Sequence, residues 1–364
     1  MSPSGLRRHI GQLVCLGFHG HTVPPETRAL ARDFDVGGVI LFARNVESPE
    51  QVAALSFEAE RLVDATPLWV AVDQEGGRVA RMRRPFTEWP PMATLGRSGD
   101  AGLAARFASS LGRELRSVGV TLDCAPVLDV LTNPKNPAIG DRALAGDAAA
   151  VARLGAAIIR SLQAEGVAAC GKHFPGHGDT AVDSHHDLPV VDLPPDRFHA
   201  VEFVPFRAAI AEDVAAVMVG HVLAPAFDDA WPASLSRAIV TGLLRETLAF
   251  ENLIVTDDIG MKACSARFDA SSATVKAVAA GHDAVLICEP NYDNQAAALE
   301  ALVRALEDGS LPYGQVEASI ARHARLKARY LRPGDRTARP ASGWRDIVGC
   351  EEHQLVADEM RQHA

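Results

Sequence analysis

A chain of 364 residues, 48% hydrophobic and 23% charged, has enough apolar material for one large core or two ordinary ones. Its net charge of −10, from 36 basic and 46 acidic side chains, argues against a protein that coats nucleic acid or anionic lipid, since either role needs a basic field. Six single cysteines without a CxxC pair give no disulfide scaffold or zinc knuckle, and three of them sit inside apolar, strand-like runs as small buried hydrophobes. The opening MSPSGLRRHIGQLVCLGF lacks an apolar leader core with a cleavage site, and no apolar run reaches membrane-spanning length. A reduced, cytoplasmic setting is therefore expected.

In chain order, short apolar runs alternate with longer amphipathic stretches. Strands are expected at Leu13–Phe18, Gly37–Phe42, Leu68–Asp73, Val120–Pro126, Val167–His173, Ala215–His221, Leu253–Asp257 and Ala284–Cys288. These runs are continuously apolar, as befits parallel strands covered on both faces. Helices are expected at Glu26–Asp33, Pro49–Asp64, Ala101–Ser117, Ala148–Glu165, Phe198–Glu212, Arg237–Ala249, Ala270–Ala279 and Asn294–Asp308. Ser48-Pro49-Glu50 and Pro24-Pro25-Glu26 are helix starts of the kind in which proline occupies the first turn. Eight β/α units predict a single (β/α)8 barrel over residues 1–330, because such barrels occupy about 250 residues before insertions. A doubly wound sheet is the alternative, but no Gly-rich phosphate fingerprint follows the first strand. Residues 331–364 read as a Pro/Ser/Gly linker and an amphipathic helix, Asp346–Arg361, docking on the barrel.

A barrel carries its active site at the C-terminal ends of its strands, and polar residues gather there. The third run ends in Asp73-Gln74-Glu75-Gly76-Gly77-Arg78, with Arg81 close behind. The fourth leads to Asp129 and then to Asn136-Pro137-Ala138-Ile139-Gly140-Asp141-Arg142. The fifth ends in Lys172-His173, the sixth in His221 and the seventh in Asp257-Asp258. The densest segment runs from Lys172 through Phe174-Pro175-Gly176-His177-Gly178-Asp179-Thr180 to Asp183-Ser184-His185-His186-Asp187, with four histidines and three acids. Such a density does not suit a core, where each unpaired imidazole or carboxylate costs free energy.

Two chemistries could use these groups. Metal-assisted hydrolysis would draw ligands from His173, His177, His185, His186, Asp179 and Asp183, but the spacing matches no known zinc pattern and Lys172 is an awkward neighbour for a cation. Glycoside hydrolysis needs a carboxylate nucleophile facing a proton donor. Asp257, at a strand end, suits the first role. Asp183 and His185 form an Asp-x-His pair for the second, since an imidazole with an ordinary pKa of about 6.5 can give and take a proton near neutrality. Lys172, His173, Arg81, Arg142 and Asp73 would then hold sugar hydroxyls.

DQEGGRV at 73–79, IGDRAL at 139–144, KHFPGHGDT at 172–180, DSH at 183–185, PASLS at 232–236 and VTDDIGM at 255–261, with VGGVILFARN at 36–45, together resemble glycoside hydrolase family 3. More narrowly they resemble its bacterial β-N-acetylglucosaminidases of peptidoglycan recycling, over roughly residues 10–330 and in the right order. The resemblance implies a retaining mechanism, with Asp257 forming a covalent glycosyl-enzyme and His185, polarised by Asp183, as general acid/base. It places Asp73, Arg81, Arg142, Lys172 and His173 on sugar-binding positions. It also implies GlcNAc-1,4-anhydroMurNAc muropeptides as substrates, with no cofactor, no metal, no nucleic-acid or membrane partner, and a monomeric state. A family 3 β-glucosidase or xylosidase, an N-acetylglucosaminide phosphorylase and a silent saccharide sensor are the alternatives. Asp258 reads as a hydrogen-bonding or capping carboxylate, and His177 and Asp179 as loop braces. His221 either reaches the sugar or satisfies its strand end. Trp89 and Trp231 are candidate aglycone platforms, although large aromatics more often serve packing.

Overall fold

The computed structural model describes residues 5, 8–63, 66–331 and 342–364. All eight expected runs form strands. β1 (Val14–Leu16), β2 (Gly38–Leu41) and β3 (Trp69–Val72) are followed by a small antiparallel hairpin, β4 (Gln74–Gly76) and β5 (Val79–Ala80). Then come β6 (Leu122–Asp123), β7 (Ala168–Phe174), β8 (Ala216–Val219), β9 (Leu253–Asp258) and β10 (Ala284–Ile287). Apart from the hairpin these strands pair in parallel, and β1 meets β10 to close an eight-stranded barrel. β6 is much shorter than the expected Val120–Pro126, in keeping with a proline that has no N–H to give a ladder.

Strand alternation explains why the runs are apolar throughout. Trp69 and Ala71 of β3 face the barrel interior with Ile40, Leu122, Cys170 and Met218, whereas Val70 and Val72 face the surrounding helices with Val39, Leu41 and Leu55. The helices follow the predicted order. Pro49–Ala59 starts at Ser48, whose hydroxyl accepts from Gln51 N, and ends before the expected Asp64, which lies outside the described residues. Ala101–Ser117 and Ala148–Ala164 are capped by Asp100 and Asp147. The expected Phe198–Glu212 helix starts with a π-helical turn, and the expected Arg237–Ala249 helix is π-helical over Ala238–Thr247.

One long helix, Tyr313–Tyr330, has no counterpart in the sequence reading because no strand follows it in the β/α alternation. It closes the end of the barrel opposite the strand C-termini. Leu326 and Tyr330 join the interior cluster, and Trp69 Nε1 donates to His323 Nδ1 at 3.3 Å. Lys327 Nζ donates to Gln12 Oε1 at 2.6 Å and to the Gly37 carbonyl at 2.8 Å. With one end plugged, a small molecule can reach the interior only from the other.

The expected linker over 332–341 lies outside the described residues. The C-terminal segment beyond it forms a short turn, Trp344–Ile347, and a helix, Glu351–Arg361, packed against Ala101–Ser117. Among the described residues no helix is long and apolar enough to cross a membrane.

Candidate active site

A pocket of about 390 Å³ opens at the C-terminal ends of the strands, and Asp73, Arg81, Arg142, Lys172, His173, Asp183, His185 and Asp257 all line it. The four segments that carry them, at the ends of β3, β6, β7 and β9, thus converge, although the residues lie as far apart in the sequence as 73 and 257.

Its floor is an ion network. Lys172 Nζ lies 2.7 Å from Asp73 Oδ1 and 2.6 Å from Glu75 Oε1. Arg81 Nη2 reaches the other oxygen of Asp73 at 3.0 Å. Arg142 grips Glu75 with two parallel bonds, Nε to Oε2 at 2.9 Å and Nη2 to Oε1 at 2.8 Å, and spends Nη1 on the Ala138 carbonyl. Burial alone would raise the pKa of Asp73, but Lys172 and Arg81 outweigh it and hold the carboxyl well below the usual range. Glu75 is likewise pushed up by burial and pulled down further by Lys172 and Arg142, to about 2. The same acids overcome burial at Lys172 and raise its pKa. Asp73, Glu75, Lys172 and Arg142 are therefore charged at neutral pH, and among the described residues the buried Nε of Arg81 has no protein partner. Arg81 also lies over the Phe42 ring, 5.3 Å from its centroid, and Phe42 forms one wall of the pocket.

Consecutive strand residues should face opposite sides of a sheet, yet Lys172 and His173 both line the pocket. The β7–β8 register shifts between Lys172 and Phe174, an irregularity that re-aims a side chain. Beyond it the chain folds tightly over Asp129, whose buried carboxylate accepts from His173 N, from His177 N at 2.7 Å and from the His173 ring, where Nδ1 lies 2.7 Å from Oδ2. Gly178 is required by close approach, since a Cβ there would stand 1.8 Å from the Val130 carbonyl oxygen. His177 braces the loop, with Nδ1 2.7 Å from Thr180 Oγ1 and Nε2 3.4 Å from Ser184 Oγ. Asp179 accepts from Thr132 Oγ1 at 2.6 Å. Ser184 is tied through its carbonyl to Ala263 N, just after the β9 acids.

At the loop's crest Asp183 Oδ1 accepts from His185 N at 2.9 Å and lies 2.7 Å from His185 Nδ1. Partial burial raises the Asp183 pKa, but the two His185 bonds more than offset it, so the net shift is downward. His186, although adjacent, is exposed and is not among the pocket residues. The pair leaves His185 Nε2 free of the carboxylate, on a ring that is 65% exposed.

At the end of β9 the register with β10 also shifts, and both Asp257 and Asp258 reach the pocket. They differ in their partners. Asp258 Oδ1 accepts from Gly260 N and Cys288 N, each at 3.0 Å, and burial raises its pKa. Among the described residues Asp257 accepts only from Asp258 N, at 2.9 Å. Asp258 is thus used to cap the strand end, while Asp257 is left open. His221 is fully buried, with Nδ1 2.6 Å from Ser234 Oγ and Nε2 2.9 Å from the Asp258 carbonyl, so it satisfies the strand end and has no nitrogen left for a sugar.

Neither tryptophan lines the pocket. Trp89 is buried against Phe107, and Trp231 packs on Phe268 beneath the Lys276 ammonium. Sequence reasoning missed the roles of Glu75, Asp129 and Phe42 in this site. The acid in DQEGG was the one available signal for Glu75. Among the described residues the histidines of the loop do not bring three ligand atoms together; the one group so placed is Cys350, Glu352 and His353, where His353 Nδ1 is already 3.0 Å from Glu114.

Residues 5–326 match the family model described as the glycosyl hydrolase family 3 N terminal domain. The β-hexosaminidase A of Pseudoalteromonas piscicida is 36% identical over 334 residues, which is 85% of this chain and 56% of that protein. The β-hexosaminidase of Bordetella pertussis is 40% identical over 283 residues, 76% of this chain and 80% of its own length. Among solved structures, a glycoside hydrolase family 3 β-N-acetylglucosaminidase from Paenibacillus sp. str. FPU-7 superposes with a TM-score of 0.94 at 41% identity, over 98% of this chain and 68% of that one. The chain therefore spans little more than half of the first relative and four-fifths of the second.

Proposed function

Because the chain belongs to glycosyl hydrolase family 3, we propose that it is a retaining exo-β-N-acetylglucosaminidase. Asp257 would be its nucleophile, His185 its general acid/base and Asp183 the partner that orients the imidazole. The observation that carries this reading is the contrast at the pocket rim. A carboxylate with a single backbone donor, Asp257, shares one pocket with an imidazole whose Nδ1 is held by a carboxylate and whose Nε2 is free.

In the first step Asp257 attacks the anomeric carbon while the bond to the leaving oxygen breaks, and that oxygen takes the proton from His185 Nε2. In the second, His185 Nε2 removes a proton from water, the water oxygen bonds to the anomeric carbon, and Asp257 departs as carboxylate. Asp73 would accept from hydroxyls of the terminal sugar, and Lys172, Arg81 and Arg142 would donate to its oxygens. A buried guanidinium Nε without a protein partner, as in Arg81, is a group a ligand can satisfy.

The natural substrate on this reading is a GlcNAc-1,4-anhydroMurNAc muropeptide of cell-wall recycling, hydrolysed in the cytoplasm by a monomer without a cofactor. The supports are the subgroup loop Asp183-Ser184-His185 and six free thiols, which suit a reducing compartment.

The test is release of p-nitrophenol from the β-N-acetylglucosaminide, with the β-glucoside in parallel, in the presence of EDTA and with Asp257→Ala as control. Turnover of the N-acetyl substrate that resists EDTA and vanishes in Asp257→Ala supports the reading. Preference for the glucoside would make the protein a β-glucosidase, and sugar 1-phosphate formed in phosphate buffer would make it a phosphorylase. Loss of activity with EDTA would revive a metal. Binding without turnover would leave a sensor. Release of GlcNAc from a purified anhydro-muropeptide then tests the natural substrate.

A further inference from the structure

Asp129 stands just beyond β6, fully buried, and touches no part of the pocket surface itself. Its carboxylate receives a convergent set of donors. His177 N gives to Oδ1 at 2.7 Å, and His173 N approaches both oxygens, at 3.2 and 3.3 Å. The His173 ring closes the set with Nδ1 2.7 Å from Oδ2. An ionised carboxylate can only accept, so the hydrogen in this last contact belongs to Nδ1. Burial would raise the Asp129 pKa, but His173 and the backbone donor outweigh it and keep the acid ionised.

The consequence falls on the opposite ring nitrogen. His173 lines the pocket, and with a proton committed at Nδ1 an imidazole that carries no second proton offers a lone pair at Nε2. The cationic neighbours Lys172, Arg81 and Arg142 are donors only, and Asp73, already held by two of them, accepts. A sugar hydroxyl carries one hydrogen and two lone pairs, so it needs an acceptor as well as donors. We propose that Asp129 is a positioning residue that fixes His173 as the Nδ1–H tautomer, so that Nε2 accepts a hydrogen bond from a hydroxyl of the bound sugar. This rests on the saccharide reading for its ligand, but not for its tautomer.

The experiment is long-range 15N–1H correlation spectroscopy of the full chain with labelled histidine, His173 being assigned by its disappearance in His173→Gln. The wild-type protein is expected to show His173 protonated at Nδ1 and bare at Nε2. In Asp129→Asn the amide NH2 faces Nδ1, which must then accept, so the proton is expected to move to Nε2. With that reversal, kcat/KM on the aryl N-acetylglucosaminide should fall roughly 10- to 100-fold, the usual effect of losing an orienting partner. The fall should appear in KM and kcat together, with the circular dichroism spectrum unchanged. A wild-type His173 protonated at Nε2, or at both nitrogens, overturns the proposal. So does a folded Asp129→Asn whose tautomer is unchanged, or one whose tautomer reverses without loss of kcat/KM. If Asp129→Asn does not fold, the wild-type spectrum alone decides the tautomer. A wild-type enzyme that turns over no saccharide would sink the functional reading and leave the spectrum to judge Asp129.

Discussion

Lys172 Nζ and Glu75 Oε1 lie 2.6 Å apart, with both side chains at most 2% exposed. A buried pair of this kind is held at a desolvation cost, and it survives here because Asp73, Arg81 and Arg142 complete it into a five-membered network. Its role is to aim donors into the pocket from a fixed base. Glu75 does not have to touch a ligand for this, since it holds two residues that line the pocket beside it.

Glu75→Gln is expected to destabilise the protein by about 3 kcal/mol at neutral pH, because one folded carboxyl shifted from 4.5 to about 2 is worth that much. A depressed carboxyl pKa stabilises the fold above the unfolded value and loses that contribution as pH falls through the folded one. The gap between wild type and variant in urea unfolding should therefore be full above about pH 5 and close between pH 4.5 and about 2. A gap that stays constant across that window would show that Glu75 is not the ionised centre of the network.

Much of this arrangement was legible in the sequence, and the rest was hidden for a physical reason. All eight strands were visible because parallel strands in a barrel are apolar on both faces, and the residues that line the pocket were visible because barrels gather polar side chains where those runs end. What a sequence does not display is lateral pairing between strands. Asp129 and His173 are 44 residues apart, and nothing local marks them as partners. Glu75 read only as one of the polar residues that end the third run, and the Tyr313–Tyr330 helix fell outside a repeat counted by strands.

Asp123 shows the same limit from the opposite side. It closes β6 fully buried, accepts from Gln74 N with one oxygen and leaves the other without a partner. Burial pushes its pKa well above the usual 3.8, a shift toward the neutral acid. A raised carboxyl pKa means that the folded state binds the proton more tightly, so wild-type stability drains away as pH climbs above about 3.8 toward the folded value. Asp123→Asn has no such drain. Its melting temperature should gain on that of the wild type as pH is raised from 4 to 8, and a difference that is flat or shrinks would mean that Asp123 is ionised in the fold.

The C-terminal segment is tied to the barrel through one buried acid. Glu114 accepts from Thr87 N and Thr87 Oγ1, from Gly349 N at 2.8 Å and meets His353 Nδ1 at 3.0 Å. Glu114→Ala would orphan donors on three elements, at a cost of about 3–5 kcal/mol. Hydrogen exchange over Glu351–Arg361 should accelerate in this variant, and much less in Glu114→Gln, which keeps an acceptor. Unchanged protection of that helix in Glu114→Ala would show that apolar packing alone holds it.

His185→Ala separates the two steps that the pocket is proposed to perform. An activated aryl leaving group needs little protonation, so formation of the glycosyl-enzyme on Asp257 should continue while its hydrolysis, deprived of a base, slows. With p-nitrophenyl N-acetylglucosaminide kcat and KM should then fall together, since the intermediate accumulates. With a natural disaccharide, whose leaving oxygen must be protonated, kcat/KM should fall roughly 10²- to 10⁴-fold. Azide, an anion that needs no base, should restore turnover of the aryl substrate and yield the β-glycosyl azide. Asp183→Ala should move in the same direction by less, because the imidazole remains but loses the carboxylate 2.7 Å from Nδ1. Equal losses on both substrates, without azide rescue, would mean that His185 serves the fold or the binding of substrate and that the proton comes from another group.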